Sequence, residues 1–188
     1  MFLFLIPLTA GLAFVGASAF TTGYSRWLGE RGGQLITAVL RNILGIPLGL
    51  MGGFWAWAIP APWAFPPHPV FTVLGWALTF GGVILFMIGH RDIGKPSGLP
   101  SVRDNLVRHG LYAYVRHPIY AGSSVMLPGL VLIRPSITVL VASAVAFAWL
   151  LVQARLEEID LLQRLPEYRE YMREVPRFIP RLRRGNWK

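Results

Sequence analysis

Cysteine is absent from the 188 residues, so disulfides, thiolate metal sites and cysteine nucleophiles are excluded. Charge is also scarce, because only 14% of the residues are Asp, Glu, Lys or Arg, against roughly a quarter in soluble domains. Acidic residues are the rarer sign, with nine against 18 basic residues and a net charge of +9. Hydrophobic residues make up 54% of the chain, and its mean hydropathy is +0.49. This balance is typical of a polytopic membrane protein.

Five apolar segments predict an all-α bundle of about five transmembrane helices, at residues 2–20, 35–59, 70–88, 119–133 and 136–152. The first segment has no basic stretch before it, so we interpret it as a retained span and not as a signal peptide. Pro47 is expected to kink the second span. Only Arg134 and Pro135 separate the last two spans, which predicts a helical hairpin with a tight turn.

The basic residues are distributed unevenly among the connections. Residues 61–69 hold no Lys or Arg, and the hairpin turn holds only Arg134. The other basic residues lie between spans one and two or just inside span two, between spans three and four, and in the C-terminal tail. The positive-inside rule then predicts an outside N-terminus and a cytoplasmic C-terminus. We attribute the net charge to this topology and to anionic lipid headgroups, and we expect no nucleic-acid partner, because no docking motif accompanies the basic clusters.

Arg41 lies about one and a half turns inside the second predicted span. A snorkelling arginine near a helix end is the common case, so we expect its guanidinium to reach the headgroups. The alternative is an intramembrane binding site.

The tail beyond Val152 has apolar residues at spacings of three and four up to Met172, which predicts a cytoplasmic amphipathic helix continuing from, or hinged to, the fifth span. Pro166 is expected to kink or split it. We divide the chain into N-terminal spans at 1–84 (the third ending near 88), a core at 85–182 and a basic tail at 183–188.

Two polar clusters adjoin the hairpin. Arg116-His117 stands before the fourth span, and Glu157-Glu158 lies at the end of the fifth. The open end of the hairpin places these clusters side by side. Pro118 suits the first turn of a helix and biases His117 toward an extended backbone. An arginine, two carboxylates and a helix N-terminus suit a zwitterionic, partly cationic ligand. The residues alone therefore predict a ligand site at the cytoplasmic face.

The stretch Gly110-Leu111-Tyr112-x-Tyr114-x-Arg116-His117-Pro118-x-Tyr120 resembles the isoprenylcysteine carboxyl methyltransferase family and its phospholipid N-methyltransferase relatives. His90-Arg91-Asp92-Ile93-Gly94 looks like the short polar motif of that family. Glu157-Glu158, Glu167-Tyr168-x-x-Tyr171 and Val175-Pro176-Arg177-x-Ile179-Pro180 look like its C-terminal signature. The resemblance covers residues 85–182, roughly half of the chain.

The resemblance implies an S-adenosyl-L-methionine-dependent membrane methyltransferase with a lipophilic acceptor. The acceptors left open are an isoprenylcysteine carboxylate, a phospholipid amine, a small thiol and a quinone-like lipid. Catalytic roles are carried onto Arg116, His117 and Glu157, and no metal is expected. Gly110 and Gly122 are expected to be backbone-permissive. Cofactor contacts are carried onto His90, Tyr112, Arg116, His117, Pro118, Tyr120, Glu157 and Glu158.

The chain departs from the family pattern at two places. Arg164-Leu165-Pro166 stands where Phe-Gly is common, and the polar loop 95–100 replaces an aromatic stretch. One alternative is an NADPH-dependent membrane sterol or lipid reductase. Such enzymes share the Arg-His-Pro element but carry Asn and Glu where this chain has Ile119 and Ser123. The other is a non-catalytic, lipid-binding scaffold. The oligomeric state is left open.

Overall fold

A computed structural model describes residues 1–181, so the predicted tail at 183–188 and residue 182 of the predicted core lie outside the described residues. The described chain is helical, which confirms the predicted fold class. Short 3-10 turns occur at Lys95–Ser97 and Gly110–Ala113. The longer elements are α1 (Leu5–Ala17), α2 (Thr21–Ala38), a π-helix (Val39–Gly45), α3 (Ile46–Ala58), α4 (Pro69–Ile93), α5 (Pro118–Ile133), α6 (Ile137–Arg164) and α7 (Tyr168–Glu174).

Helices correspond to all five predicted spans. The stretches Thr21–Ala58, Pro69–Ile93 and Ile137–Arg164 are long and apolar enough to cross a membrane, and α1 and α5 are shorter apolar helices of 13 and 16 residues. These helices define an integral membrane protein. Helix α4 extends one turn beyond the predicted third span, which brings His90 and Asp92 onto its last turns.

Residues 21–34, which join the first two predicted spans, belong to helix α2. Its first turn is held by Asp160, whose buried carboxylate accepts a hydrogen bond from the Thr22 amide at 2.8 Å. Such capping satisfies an amide that the helix itself leaves unpaired. The backbone leaves helical geometry at Gly29, where φ is 74°. A π-helix ends two residues before Pro47, which lies in the first turn of α3. The kink expected at Pro47 stays a prediction.

Helices α4 and α5 pack closely where glycines face each other. A methyl group on Gly82 would lie 2.6 Å from the carbonyl oxygen of Gly122, and one on Gly122 would lie 2.6 Å from the Phe86 amide nitrogen. Neither position has room for a side chain. This contact sets α5 against α4 and thereby places the start of α5 beside the end of α4.

The predicted hairpin and the predicted split at Pro166 are both confirmed. Residues 134–136 join α5 to α6, and Ala64 donates to the Pro135 carbonyl at 2.7 Å, which ties the proline-rich loop to the turn. Helix α6 runs unbroken from the membrane segment to Arg164, and α7 begins at Tyr168. A small apolar cluster packs α7 beneath α6; its buried members are Leu165, Tyr168, Tyr171 and Val175.

Candidate active site

A cavity of about 550 Å³ lies between α1, the π-helix, α4, α5 and α6, and the loop before α5 lines part of it. This volume is within the range of small-molecule sites, roughly 300–1,000 Å³. Six of the residues predicted to contact a cofactor line this cavity: His90, Tyr112, Arg116, His117, Tyr120 and Glu157. Pro118 is instead the buried first residue of α5, and Glu158 is buried beside Arg116.

The C-terminal segment holds the Arg116-His117 elbow in place. The Arg116 amide donates to the Pro176 carbonyl at 2.9 Å, and the His117 amide donates to the Arg177 carbonyl at 3.1 Å. His117 is the N-cap of α5 with a non-helical backbone, and Pro118 follows at the first helical position, as the sequence predicts. The C-terminal segment on one side and the start of α5 on the other therefore hold the backbone of Arg116 and His117 in place.

Glu158 is the centre of a buried ion cluster. Its Oε1 atom lies 3.0 Å from Arg116 Nη2, 3.0 Å from Arg177 Nε and 3.1 Å from His117 Nε2. The hydrogen bond to Glu158 raises the pKa of Arg177. A buried carboxylate needs paired charge to offset the loss of its hydration, and here the protein supplies that charge itself. Glu158 thus joins α5, α6 and the C-terminal segment.

The guanidinium of Arg116 also binds only protein groups. Its Nε and Nη2 atoms bind Glu158, and its Nη1 atom donates to the carbonyls of Met172 at 2.8 Å and Val175 at 3.1 Å. Those carbonyls are at the C-terminal end of α7, where backbone acceptors lack helical partners. Each nitrogen of the guanidinium therefore has a protein partner, and the side chain anchors α7 against the elbow.

Glu157 has a different environment from its neighbour, because consecutive helical residues point about 100° apart. Its side chain is 28% exposed and lines the cavity. The Tyr120 hydroxyl and Gln153 Nε2, the latter at 3.2 Å, donate to its Oε1 atom. His117 Nδ1 lies 3.8 Å from its Oε2 atom. Glu157 is thus held in position by neutral donors and keeps its negative charge toward the cavity.

Asp92 organises the loop before α5, a role that the sequence analysis missed. Its Oδ2 atom accepts a hydrogen bond from the Leu111 amide at 2.8 Å. Gly110 has a φ of 58°, and a side chain there would collide with the same carboxylate. The expected permissive role of Gly110 is therefore confirmed. The signal for Asp92 was its position in the polar motif beside His90.

Three buried tyrosines, Tyr112, Tyr168 and Tyr171, lie at the base of the site. Tyr171 donates from its hydroxyl to the Tyr112 carbonyl at 2.6 Å. Burial raises the pKa of Tyr171 to about 12 and raises the pKa of Tyr112 and Tyr168 well above the usual range. All three phenols therefore stay protonated at neutral pH.

Arg164, one of the departures from the family pattern, has a defined contact. Its Nε atom lies 3.2 Å from Asp160 Oδ2, and its Nη1 atom donates to the Ser101 carbonyl at 2.5 Å. It therefore ties the end of α6 to the loop before α5. Arg177, which pairs with Glu158, was also missed as a site residue, although it belongs to the quoted C-terminal signature.

Arg41 does not snorkel as expected. Its side chain lines the cavity, and within residues 1–181 its Nε and Nη2 atoms are buried without a hydrogen-bond partner. Helix α1 packs against the π-helix, and the Arg41 side chain faces the cavity in this arrangement, which the sequence spacing alone does not reveal.

The described residues form a helical membrane fold with a largely apolar cavity, and a few polar side chains reach this cavity from the start of α5 and the end of α6. A model of the phospholipid methyltransferase family matches residues 70–167, which is just over half of the chain, and the protein belongs to that family. The matched segment contains α4, α5 and α6 and most of the residues around the cavity.

Two curated relatives carry names that refer to metal resistance. The chain is 26% identical over 161 residues to the cobalt-zinc-cadmium resistance protein CzcN of Cupriavidus metallidurans, covering 85% of this chain and 56% of that protein. It is 40% identical over 78 residues to the nickel-cobalt-cadmium resistance protein NccN of Alcaligenes xylosoxydans xylosoxydans, covering 41% of this chain and 37% of that protein. The chain thus spans less than two thirds of either relative. No solved structure matches the chain.

Proposed function

We propose that this protein is an S-adenosyl-L-methionine-dependent methyltransferase that acts on a lipophilic acceptor. The proposal rests on the different environments of two adjacent carboxylates, Glu157 and Glu158. Glu158 is neutralised inside the protein, whereas Glu157 presents its charge to a largely apolar cavity. An unpaired carboxylate is costly there, and a cationic ligand offsets that cost.

The donor set around Glu157 fits the cofactor. A carboxylate can bind an ammonium, a sulfonium or ribose hydroxyls, and aromatic side chains can cover a purine or a cation. Tyr120 and Gln153 fix the orientation of Glu157, while Tyr112 and His90 line the same cavity. We assign Glu157 and Tyr120 to cofactor binding. His117 and Pro118 shape the elbow beside them.

When bound, S-adenosyl-L-methionine supplies a methyl group whose bond to sulfur breaks as the acceptor heteroatom bonds to it, leaving a neutral thioether. The residues of the chain then need to align the two partners and exclude water. Arg116 and Glu158 serve as positioning residues in this scheme, because their polar atoms are engaged within the protein.

His117 is the proposed proton acceptor for an amine acceptor. Its Nε2 atom is engaged with Glu158, so Nδ1, on the side of Glu157, is the nitrogen that would accept the proton. A carboxylate or thiolate acceptor has no proton to lose. We also propose that the cavity opens to the cytoplasmic side, because four basic residues lie in the loop that lines part of it: Lys95, Arg103, Arg108 and Arg116.

The first experiment is isothermal titration of the detergent-purified protein with S-adenosylhomocysteine. The Glu157→Gln variant keeps the shape and hydrogen-bonding capacity of the side chain but removes its charge. We expect saturable binding to the wild type and at least about tenfold weaker binding to the variant, since a charge-assisted hydrogen bond contributes about 1.5–3 kcal/mol.

NADPH titrated into the same sample separates the alternatives. Binding of NADPH without binding of S-adenosylhomocysteine would refute the methyltransferase function and favour the reductase function. A folded protein that binds neither compound would favour the lipid-binding scaffold.

The names of the two relatives suggest a cellular setting. Similarity to the CzcN protein extends over 85% of this chain, and we propose that the protein contributes to cobalt or cadmium tolerance through its methylated product. Cells expressing the wild type should then tolerate more metal than cells expressing Glu157→Gln at equal protein level. Equal tolerance would refute the role in resistance and leave the titration result to decide the enzymatic activity.

A further inference from the structure

Three arginines line the cavity, and two of them are paired. Arg116 binds Glu158 and the end of α7, and Arg164 binds Asp160. Arg41 forms no salt bridge with any carboxylate in residues 1–181, and its Nε and Nη2 atoms are buried and unsatisfied. A guanidinium is always charged. Arg41 therefore places a guanidinium that has no direct ion-pair partner beside a ligand-sized space.

The carboxylates that line the cavity form no salt bridge with Arg41 in residues 1–181, and each accepts hydrogen bonds from other groups. Asp160 binds the Thr22 amide and Arg164, and Asp104 accepts from the Ser101 amide at 2.7 Å. Glu157 accepts from Tyr120 and Gln153. None of these carboxylates pairs directly with Arg41 in residues 1–181, and an anionic ligand group would supply the direct partner that its guanidinium lacks.

The backbone at Arg41 is a second, independent indication. Arg41 lies within the π-helix, and interruptions of this kind occur frequently at functional sites. On the same segment Ile43 is 65% exposed on the outer surface, while Gly45 lines the cavity with Arg41. The neighbouring Asn42 donates to the Gly98 carbonyl at 2.8 Å, which holds the polar loop near the cavity.

We infer that Arg41 is an anion-binding residue of this cavity and that it binds a carboxylate or phosphate oxygen of a ligand. The inference rests on the proposed function for the identity of the ligand. Two sources offer the same chemistry: the carboxylate of the cofactor, and an anionic headgroup of the lipophilic acceptor. Arginine suits either, because its planar donors match both oxygen geometries.

The experiment compares the wild type with Arg41→Met, and with Arg31→Met as a matched control, since Arg31 is an exposed arginine of α2. In one arm the ligands are S-adenosylhomocysteine and 5′-methylthioadenosine, which lacks the amino-acid part. If the cofactor is the source, Arg41→Met weakens S-adenosylhomocysteine binding about tenfold or more and leaves 5′-methylthioadenosine binding unchanged.

In the other arm the ligand is dodecyl phosphate in maltoside detergent, and the readout is the shift in Tm. If a headgroup is the source, dodecyl phosphate raises the Tm of the wild type and of Arg31→Met but not that of Arg41→Met. Unchanged responses to S-adenosylhomocysteine and to dodecyl phosphate in Arg41→Met would overturn the inference.

The Tm of the ligand-free variant is a further check. Removal of a buried, unpaired charge should leave the Tm unchanged or raise it, so a marked fall in both Arg41→Met and Arg41→Gln would mean that Arg41 is structural and would overturn the inference. If the wild type fails to bind S-adenosylhomocysteine, the proposed methyltransferase fails, while the dodecyl phosphate arm still decides the role of Arg41.

Discussion

At the scale of single residues, the neighbouring carboxylates Glu157 and Glu158 have different roles. Both are carboxylates on the same turn of α6, yet Glu158 faces Arg116, His117 and Arg177, and Glu157 faces the cavity. The difference comes from the helical rotation between neighbours and from the segments packed on each face.

This separation predicts opposite outcomes for two matched variants. Glu158→Gln should lower the stability by about 3–5 kcal/mol, because Arg116 and Arg177 would lose the charge that compensates them. Glu157→Gln should leave the Tm nearly unchanged and weaken binding of S-adenosylhomocysteine. Thermal unfolding followed by tryptophan fluorescence measures the stability of both variants. A larger loss of stability in Glu157→Gln than in Glu158→Gln would contradict the assignment.

Gly110 provides a second test at this scale. An alanine there would sit in left-handed backbone and against Asp92, so Gly110→Ala should destabilise the protein by at least about 1–2 kcal/mol. Gly98→Ala is the control, because that glycine lies in the same loop with a negative φ and open space around it. Equal Tm values for the two variants would refute the role given to Gly110.

At the scale of elements, the contact between α4 and α5 determines where the site can form. The glycines at 82 and 122 let the two backbones approach, as small residues do between membrane helices. The end of α4 with Asp92 then reaches the loop that leads into α5. The site depends on this contact, although neither glycine lines the cavity in the described chain.

The packing predicts a difference between two adjacent glycines of α4. Gly82→Ala should lower the Tm and weaken S-adenosylhomocysteine binding, because the added methyl group would collide with α5. Gly81→Ala faces open space and should be neutral or stabilise α4 by up to about 1 kcal/mol. Similar Tm values in both variants would show that α4 and α5 do not pack as described.

At the scale of the whole molecule, the apolar helices and the basic connections together predict an outside N-terminus and a cytoplasmic C-terminus. The same orientation would place the loop between α4 and α5, with the mouth of the cavity, on the cytoplasmic side. The loop between α3 and α4 would then lie outside.

The absence of native cysteine makes this topology directly testable. Pro67→Cys lies in the loop between α3 and α4, and Lys95→Cys lies between α4 and α5; both positions are exposed. In intact cells a membrane-impermeant maleimide should label the first variant and label the second only after the cells are lysed. The reverse pattern would invert the proposed orientation.

Much of the fold and part of the site follow from local sequence. The apolar segments, the hairpin at Arg134-Pro135 and the split at Pro166 depend on hydropathy and on proline chemistry, and all three are present. The pairing of Arg116 with Glu158 follows from hairpin geometry. The helix at 21–34 does not follow from local sequence, because its start is capped by Asp160, which lies far away in the chain.

Hydropathy, charge distribution and motif order are properties of the chain, and they predict a membrane-embedded helical protein with a set of polar residues at the start of α5 and the end of α6. The different roles of those polar residues follow from the folded arrangement. Whether Glu157 or Glu158 faces the cavity, whether Arg116 is free, and whether Arg41 points inward depend on which segments pack against each side chain. The side-chain contacts of Arg116 and Glu158 join residues 19 to 59 positions apart, and no local pattern encodes them.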